Sequence, residues 1–129
     1  MIDLEGKKRT LGEWKQPVLI LNFWAPWCPP CRGEIPSLVT LQKEYAAQVQ
    51  ILGLGLDSAE NIASFAAEYE MNYPSFLATT LMPMYKVVFG NRSGALPFTA
   101  IIDQERNIRY THLGEISLSQ LREELAKIL

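Results

Sequence analysis

Hydrophobic residues recur along this chain in two rhythms: short continuous or alternating runs, and stripes at three- and four-residue spacing. The switches between them outline the elements. Residues 18–24 form an apolar run interrupted only by Asn22, launched by the structure-breaking Gln16-Pro17, and read as a buried central strand. Ile35, Leu38, Leu41 and Tyr45 then recur at helical spacing. Residues 50–56, with Gly53 and Gly55 among them, show no polar face and predict a second buried strand, parallel to the first through a right-handed crossover. Asp57 or Ser58 caps a helix whose buried face is Ile62, Phe65, Ala66 and Tyr69. Two β-rich runs, 98–103 and 108–113, joined by the polar turn 104–107, predict an antiparallel hairpin at the sheet edge. Ser117-Leu118-Ser119-Gln120 is a capping box opening a last helix. Leu118, Leu121, Leu125 and Ile128 form its apolar face, and Arg122, Glu123, Glu124 and Lys127 its solvated one.

The remaining segments are less periodic. Residues 4–10, turning at Gly6, read as a short hairpin arm; Thr10 is placed to cap a brief turn over 11–14, and Trp14 to lie as a lid on the core. Between 72 and 89 the pattern suggests a short strand at 76–78 and a helix capped by Thr80 that carries Leu81, Met84, Tyr85 and Val88. Met82 and Met84 are core filler in this reading, because thioethers fill irregular gaps more often than they hold metals. Residues 90–94 are a polar loop. At 129 residues the chain is long enough to bury one core, so a single domain over 1–129 is expected. A net charge of −2 with interspersed signs offers no basic stripe or aromatic-basic platform, which sets nucleic-acid binding aside. No segment has the length of a membrane span, and the N-terminus has no charged head, apolar stretch and small-residue cleavage site.

The chain's two cysteines, Cys28 and Cys31, stand two residues apart between the central strand and the first helix. The first N–H groups of a helix have no partners within it and carry partial positive charge, so a sulfur there is held as thiolate more readily than in water. Cys28 is therefore the expected attacking sulfur, and Cys31, one turn further in, the resolving one. Pro29 and Pro30 suit the first helical positions, where a missing N–H costs nothing. Zinc would want four ligands, and the chain offers no third cysteine and one histidine, His112, far away in sequence. A disulfide closing so short a loop is also a poor staple. No metal or organic cofactor is expected; the Cys28–Cys31 pair itself carries the electrons. His112 reads as an edge-strand residue. Pro36 predicts either a kink just beyond the cysteines or an early helix break. Glu34 shares a helix face with Cys31. It either accepts the proton of Cys31, with burial raising its pKa, or is an ordinary acidic residue stabilised by the helix dipole.

Trp24-Ala25-Pro26-Trp27-Cys28-Pro29-Pro30-Cys31 resembles the active site of the thioredoxin superfamily, and Arg32-Gly33-Glu34-Ile35-Pro36 resembles its TlpA-like (ResA-like) branch of exported thiol:disulfide oxidoreductases. The resemblance runs from Leu4-Glu5-Gly6-Lys7 through Leu96-Pro97-Phe98-Thr99-Ala100-Ile101-Ile102-Asp103 to the last helix. It implies an α/β, thioredoxin-like fold: a central mixed β-sheet flanked by helices, with an N-terminal hairpin and a central helix-strand insertion. Thioredoxins proper carry a buried Asp where this chain has Asn22, which cannot take a proton. The branch's Glu falls at Glu34, and this favours the proton-transfer role. The resemblance further implies that Leu96-Pro97 is cis, leaving the Leu96 backbone beside Cys28 to pair with an extended substrate segment. Trp27, Pro29, Leu96 and Pro97 are then the expected substrate contacts. On its residues alone Pro97 is as good a strand opener.

The activity so implied is reduction of disulfides in exported proteins. Protein thiols, those of apocytochrome c among them, are the expected substrates, and a membrane thiol carrier the electron donor, with the chain a monomer. A periplasmic or extracytoplasmic location is expected, the chain being the soluble part of a longer exported or membrane-tethered protein, since Met1 immediately precedes residues that look like folded domain; a cytosolic member is the other option. Three alternatives accompany this activity. A general oxidant or isomerase would differ in redox potential. A peroxiredoxin-like peroxidase would need a Thr-spaced peroxidatic cysteine, which the chain does not show. A copper metallochaperone would use the thiols and His112.

Overall fold

The computed structural model describes residues 1–78, 88–91 and 93–129. In chain order the described elements are β1 (Ile2–Asp3), a 3-10 turn (Leu11–Glu13), β2 (Val18–Trp24), α1 (Pro29–Glu44), β3 (Val49–Gly55), α2 (Ala59–Glu68), β4 (Ser75–Leu77), β5 (Phe98–Ile102), β6 (Ile108–Leu113) and α3 (Leu118–Ile128). They build a mixed sheet of order β1-β4-β3-β2-β5-β6. β2, β3 and β4 run parallel, while β5 is antiparallel to β2, β6 to β5, and β1 to β4. No described helix is long and apolar enough to cross a membrane.

β2 is buried along its whole length because it feeds two cores. On one face Val18, Ile20, Val49, Ile51 and Ile101 meet Leu38 and Leu41 of α1 and Leu121 and Leu125 of α3. On the other Leu19, Leu21, Phe23, Leu52 and Leu54 pack with Phe76 and Phe98, and Trp14 covers them, its ring meeting Phe76 edge-on at 5.4 Å. The lid role expected of Trp14 is thus seen. α2 comes so near the sheet that a Cβ on Gly55 would lie 2.5 Å from Ile62 Cδ1, and any other residue there would force Ile62 to shift.

α1 runs unbroken through Pro36, which excludes the early helix break. Pro36 and Arg32 are both exposed, so the ring that replaces the missing N–H lies on the outer side of the helix. Tyr45 is the C-cap of the helix and packs, partly buried, against the same core as Leu38 and Leu41. Buried Gln42 ties α1 to β3: its Nε2 donates to Val49 O, and its Oε1 accepts the Ile51 N–H, both at 2.8 Å.

Several boundaries differ from expectation. The N-terminal hairpin begins at the first residue, not at Leu4: Asp3 N–H donates to Lys7 O at 2.9 Å and Arg9 N–H to Met1 O at 2.7 Å. Asp3 Oδ1 accepts the Glu5 and Lys7 N–H groups, each at 2.9 Å, and this shapes the turn in which Gly6 takes φ +84. β4 starts one residue before the strand expected at 76–78. Ser58, not Asp57, caps α2, accepting the Asn61 N–H at 3.1 Å. The capping box at Ser117 is closed in both directions, at 3.1 and 2.9 Å. Thr80, Leu81, Met82, Met84 and Tyr85 lie outside the described residues, and Val88 is exposed.

Candidate active site

β2 ends at Trp24, and the chain turns to place Cys28 as the N-cap of α1, with prolines at the first two helical positions. Cys28 and Cys31 are joined as a disulfide, their Cα atoms 5.2 Å apart. Cys28 Sγ accepts the Cys31 N–H at 3.3 Å. That N–H is one of the orphan donors of a helix start, and the same contact favours negative charge on Cys28 once the disulfide opens. Cys28 is 6% exposed and Cys31 0%, so the first sulfur is the one nearer a partner. Trp27, 62% exposed, donates its Nε1–H to Leu56 O at 3.3 Å and stands beside it.

Glu34 lies one turn beyond Cys31 and is 1% exposed. Its Oε1 accepts from Asn22 Nδ2 at 2.6 Å and its Oε2 from the Ile116 N–H at 3.1 Å. Asn22 Nδ2 also donates to Thr99 Oγ1 at 3.2 Å. Burial pushes the Glu34 carboxyl up to about 7; the Asn22 and Ile116 bonds oppose this, and the Glu115 carboxylate adds to it. This is a buried carboxyl that exchanges its proton near neutral pH, not a solvated first-turn acid.

The Leu96-Pro97 peptide is cis. Pro97 is buried, and its carbonyl accepts the Gly114 N–H at 2.8 Å. The loop before it is shaped by Asn91, whose Nδ2 donates to Ala95 O at 2.9 Å. Leu96 packs against the cluster formed by Trp24, Ala25, Cys28, Cys31 and Ile62. The fold thus brings Leu96 and Pro97 to the cysteines, with Trp27 and Pro29 exposed on the rim and Glu34 beneath.

The AhpC/TSA family model matches residues 1–111. The thioredoxin-like protein YneN of Bacillus subtilis is 32% identical over 127 residues, which are 95% of this chain and 71% of that protein. The thiol-disulfide oxidoreductase ResA of Bacillus cereus is 33% identical over 130 residues, 98% of this chain and 72% of its own. The chain belongs to the thioredoxin-like thiol-disulfide oxidoreductases. Solved structures agree. A thioredoxin-related protein from Neisseria meningitidis serogroup B superposes with a TM-score of 0.85 at 29% identity, covering 98% of this chain and 96% of that one. A thiol:disulfide interchange protein from Chlorobium tepidum gives 0.84 at 26%, covering 99% and 90%. The expected fold and enzyme class therefore hold, with the electrons carried by a disulfide of the protein's own.

In this oxidoreductase one of the two bonds to Glu34 comes from a transverse row of the sheet, through Asn22, and the other from the Ile116 N–H beyond β6. Ser75, Gly53, Asn22, Thr99 and His112 are in register across β4, β3, β2, β5 and β6. Asn22, the lone polar residue in an apolar run, was its visible signal. Thr99, the Ile116 N–H and Tyr73 left none. Tyr73 lies over Gly53, where an added Cβ would sit 3.3 Å from both its Cε2 and Trp24 Nε1. Burial pushes the Tyr73 hydroxyl up, and negative charge at Glu34 adds to it. Among the described residues Trp24 Nε1, Tyr73 OH and Ser75 Oγ are buried without a protein partner. A depression of about 480 Å³ lined by Pro17, Gln48, Asp103, Arg109 and Leu129 lies where β2 begins, at the far end from the cysteines. No group of three or more potential metal ligands occurs among the described residues, and His112 bonds to Tyr110 and Glu115.

Proposed function

We propose that this oxidoreductase reduces disulfides in exported proteins through its Cys-Pro-Pro-Cys pair, outside the cytoplasm, and is itself re-reduced by a membrane thiol carrier. In the reduced enzyme the Cys28 thiolate attacks one sulfur of a substrate disulfide, forming a mixed disulfide and releasing the other substrate sulfur as thiolate, which takes a proton from water. Glu34, ionised, accepts the Cys31 proton. The Cys31 thiolate then attacks Cys28 Sγ, closing the enzyme disulfide and expelling the second substrate thiolate, which is protonated in turn. Two electrons pass to the substrate, and a dithiol carrier returns them to Cys28–Cys31. Leu96 and cis Pro97 align the substrate backbone as an added strand, while Trp27 and Pro29 form the rim on which it lies.

The observation that carries this reading is a buried carboxyl with a pKa of about 7 on the same inner helix face as the buried resolving cysteine. It supplies a base where water has no access. Cys31→Ser should leave substrate proteins covalently held on Cys28, and Cys28→Ser should hold none; exported proteins among those trapped would support the substrate class. A couple near about −270 mV would agree with a reductant, and one near about −120 mV would make the chain an oxidant instead. Substrate trapping that survives loss of Cys28 would overturn the assignment.

A further inference from the structure

His112 and Tyr110 alternate along β6 and face the same side of the sheet, His112 in register with Thr99. His112 Nε2 lies 3.1 Å from the Glu115 carbonyl oxygen, and Nδ1 lies 3.2 Å from the Tyr110 hydroxyl. A carbonyl only accepts, so Nε2 carries the proton in the neutral ring, and the Nδ1 lone pair accepts from the Tyr110 O–H. The Glu115 carbonyl and the Ile116 N–H are the two ends of one planar peptide group. That N–H is the donor to Glu34 Oε2 at 3.1 Å. A continuous line of hydrogen bonds therefore runs from Tyr110 through His112 and the 115–116 peptide to Glu34. Bonds in such a line polarise one another, and a donor on a peptide oxygen makes the N–H at its other end a stronger donor.

We propose that His112 is a positioning residue for disulfide exchange, which fixes and polarises the 115–116 peptide so that its N–H holds Glu34 in the ionised form. This rests on the reading of Glu34 as proton acceptor for Cys31. The groups around the pair are few. Glu34 is met by Asn22 of β2, by Tyr73 ahead of β4 and by the Glu115 carboxylate, whose Oε1 lies against Gly33 of α1. His112 is met by Tyr110 on its own strand, Thr99 of β5 and the backbone of Glu115. Glu115 consequently acts in two senses: its side-chain charge makes ionisation of Glu34 harder, and its peptide, held by His112, makes it easier.

The test follows the Glu34 side-chain carboxyl carbon by NMR against pH in the folded protein, alongside the pH profile for resolution of a trapped mixed disulfide. His112→Phe keeps a ring and removes both nitrogens. It should raise the Glu34 midpoint by roughly a few tenths of a pH unit and carry the activity profile with it. His112→Gln, whose Nε2 can donate to the same carbonyl, should return both. An unmoved midpoint in folded His112→Phe, or a shift that glutamine does not reverse, overturns the inference. In the unaltered protein the imidazole nitrogen spectrum should show neutral His112 protonated at Nε2; protonation at Nδ1 overturns it without any variant. If Glu34→Gln leaves the activity profile intact, the proton-acceptor reading falls and the role of His112 in exchange falls with it. An unmoved Glu34 midpoint sinks the His112 link alone.

Discussion

The sheet face covered by α1 is built in two ways. Toward the start of β2 it is wholly apolar, with Val18, Ile20 and Ile101 under Leu38, Leu41, Leu121 and Leu125. One or two rows on, the same strands present Asn22, Gly53 and Thr99 beneath Glu34, and buried polar atoms of Trp24, Tyr73 and Ser75 lack partners among the described residues. Both regions exclude water to the same degree. At the first, exclusion stabilises the fold at any pH, because the buried groups carry no charge. At the second, it disfavours the charged form of a carboxyl and so brings its proton exchange to neutral pH. One helix, α1, spans both, and burial serves stability at one end and raises a carboxyl pKa at the other.

The comparison can be broken at either end. Leu38→Ala deletes a fully buried side chain and should cost about 3–4 kcal/mol in urea unfolding. That loss should be the same at about pH 5 and about pH 9, since nothing that titrates is touched; a pH-dependent loss would erase the distinction between the two regions. Glu34→Gln tests the other end. Folding raises the Glu34 pKa from 4.5 to about 7. Below the lower value the group is protonated in both states and costs nothing. Between them the folded protein keeps a proton that the unfolded chain gives up, so stability falls as pH rises, and above the upper value the loss is complete at about 3 kcal/mol. Glutamine removes this slope. The variant should gain on the wild type by up to about 3 kcal/mol between about pH 4 and about pH 9, from a start about 1–2 kcal/mol lower because its amide nitrogen cannot accept one of the two bonds that Glu34 accepts, while mixed-disulfide resolution slows; equal pH slopes would refute the account.

Smaller changes sharpen the picture. Asn22→Leu takes the donor from Glu34 Oε1 and should raise the Glu34 midpoint by about one pH unit, read from the same carboxyl resonance, with a stability loss of about 1–2 kcal/mol confined to alkaline pH. Gly33→Ala should have the least effect. Its Cβ would lie 2.7 Å from Glu115 Oε1, so the flexible carboxylate must swing away. Glu34 would lose a negative neighbour, and its midpoint should drop by roughly a few tenths of a unit; a rise would mean that Glu115 does not act on Glu34 through its charge.

Much of the site was legible in the residues. Cys28 at a helix start, prolines behind it, Glu34 three residues past Cys31 and the capping box at Ser117 all stand where their local chemistry puts them. The cis peptide before Pro97 came from family resemblance, since nothing local to an X-Pro pair demands it. The hairpin at the N-terminus was displaced because Asp3, outside the pattern, organises its turn. Gln42 stands outside the apolar stripe of α1, and only β3 laid against it gives its amide buried partners.

What the sequence determined by itself is the place of the cysteine pair and its setting, because an orphan N–H, a proline at a helix start and an i, i+3 carboxyl act within one or two turns of chain. What tertiary structure decided is the working pKa of Glu34. Burial sets it together with groups distant along the chain: the Asn22 amide on β2, the Ile116 N–H just before the last helix, 82 residues away, and the Glu115 carboxylate beside it. Strand register, and the turn by which the chain leaves β6, bring them to one carboxyl. Register is a property of the whole sheet, settled by the summed fit of every row, and no single stretch of sequence carries it.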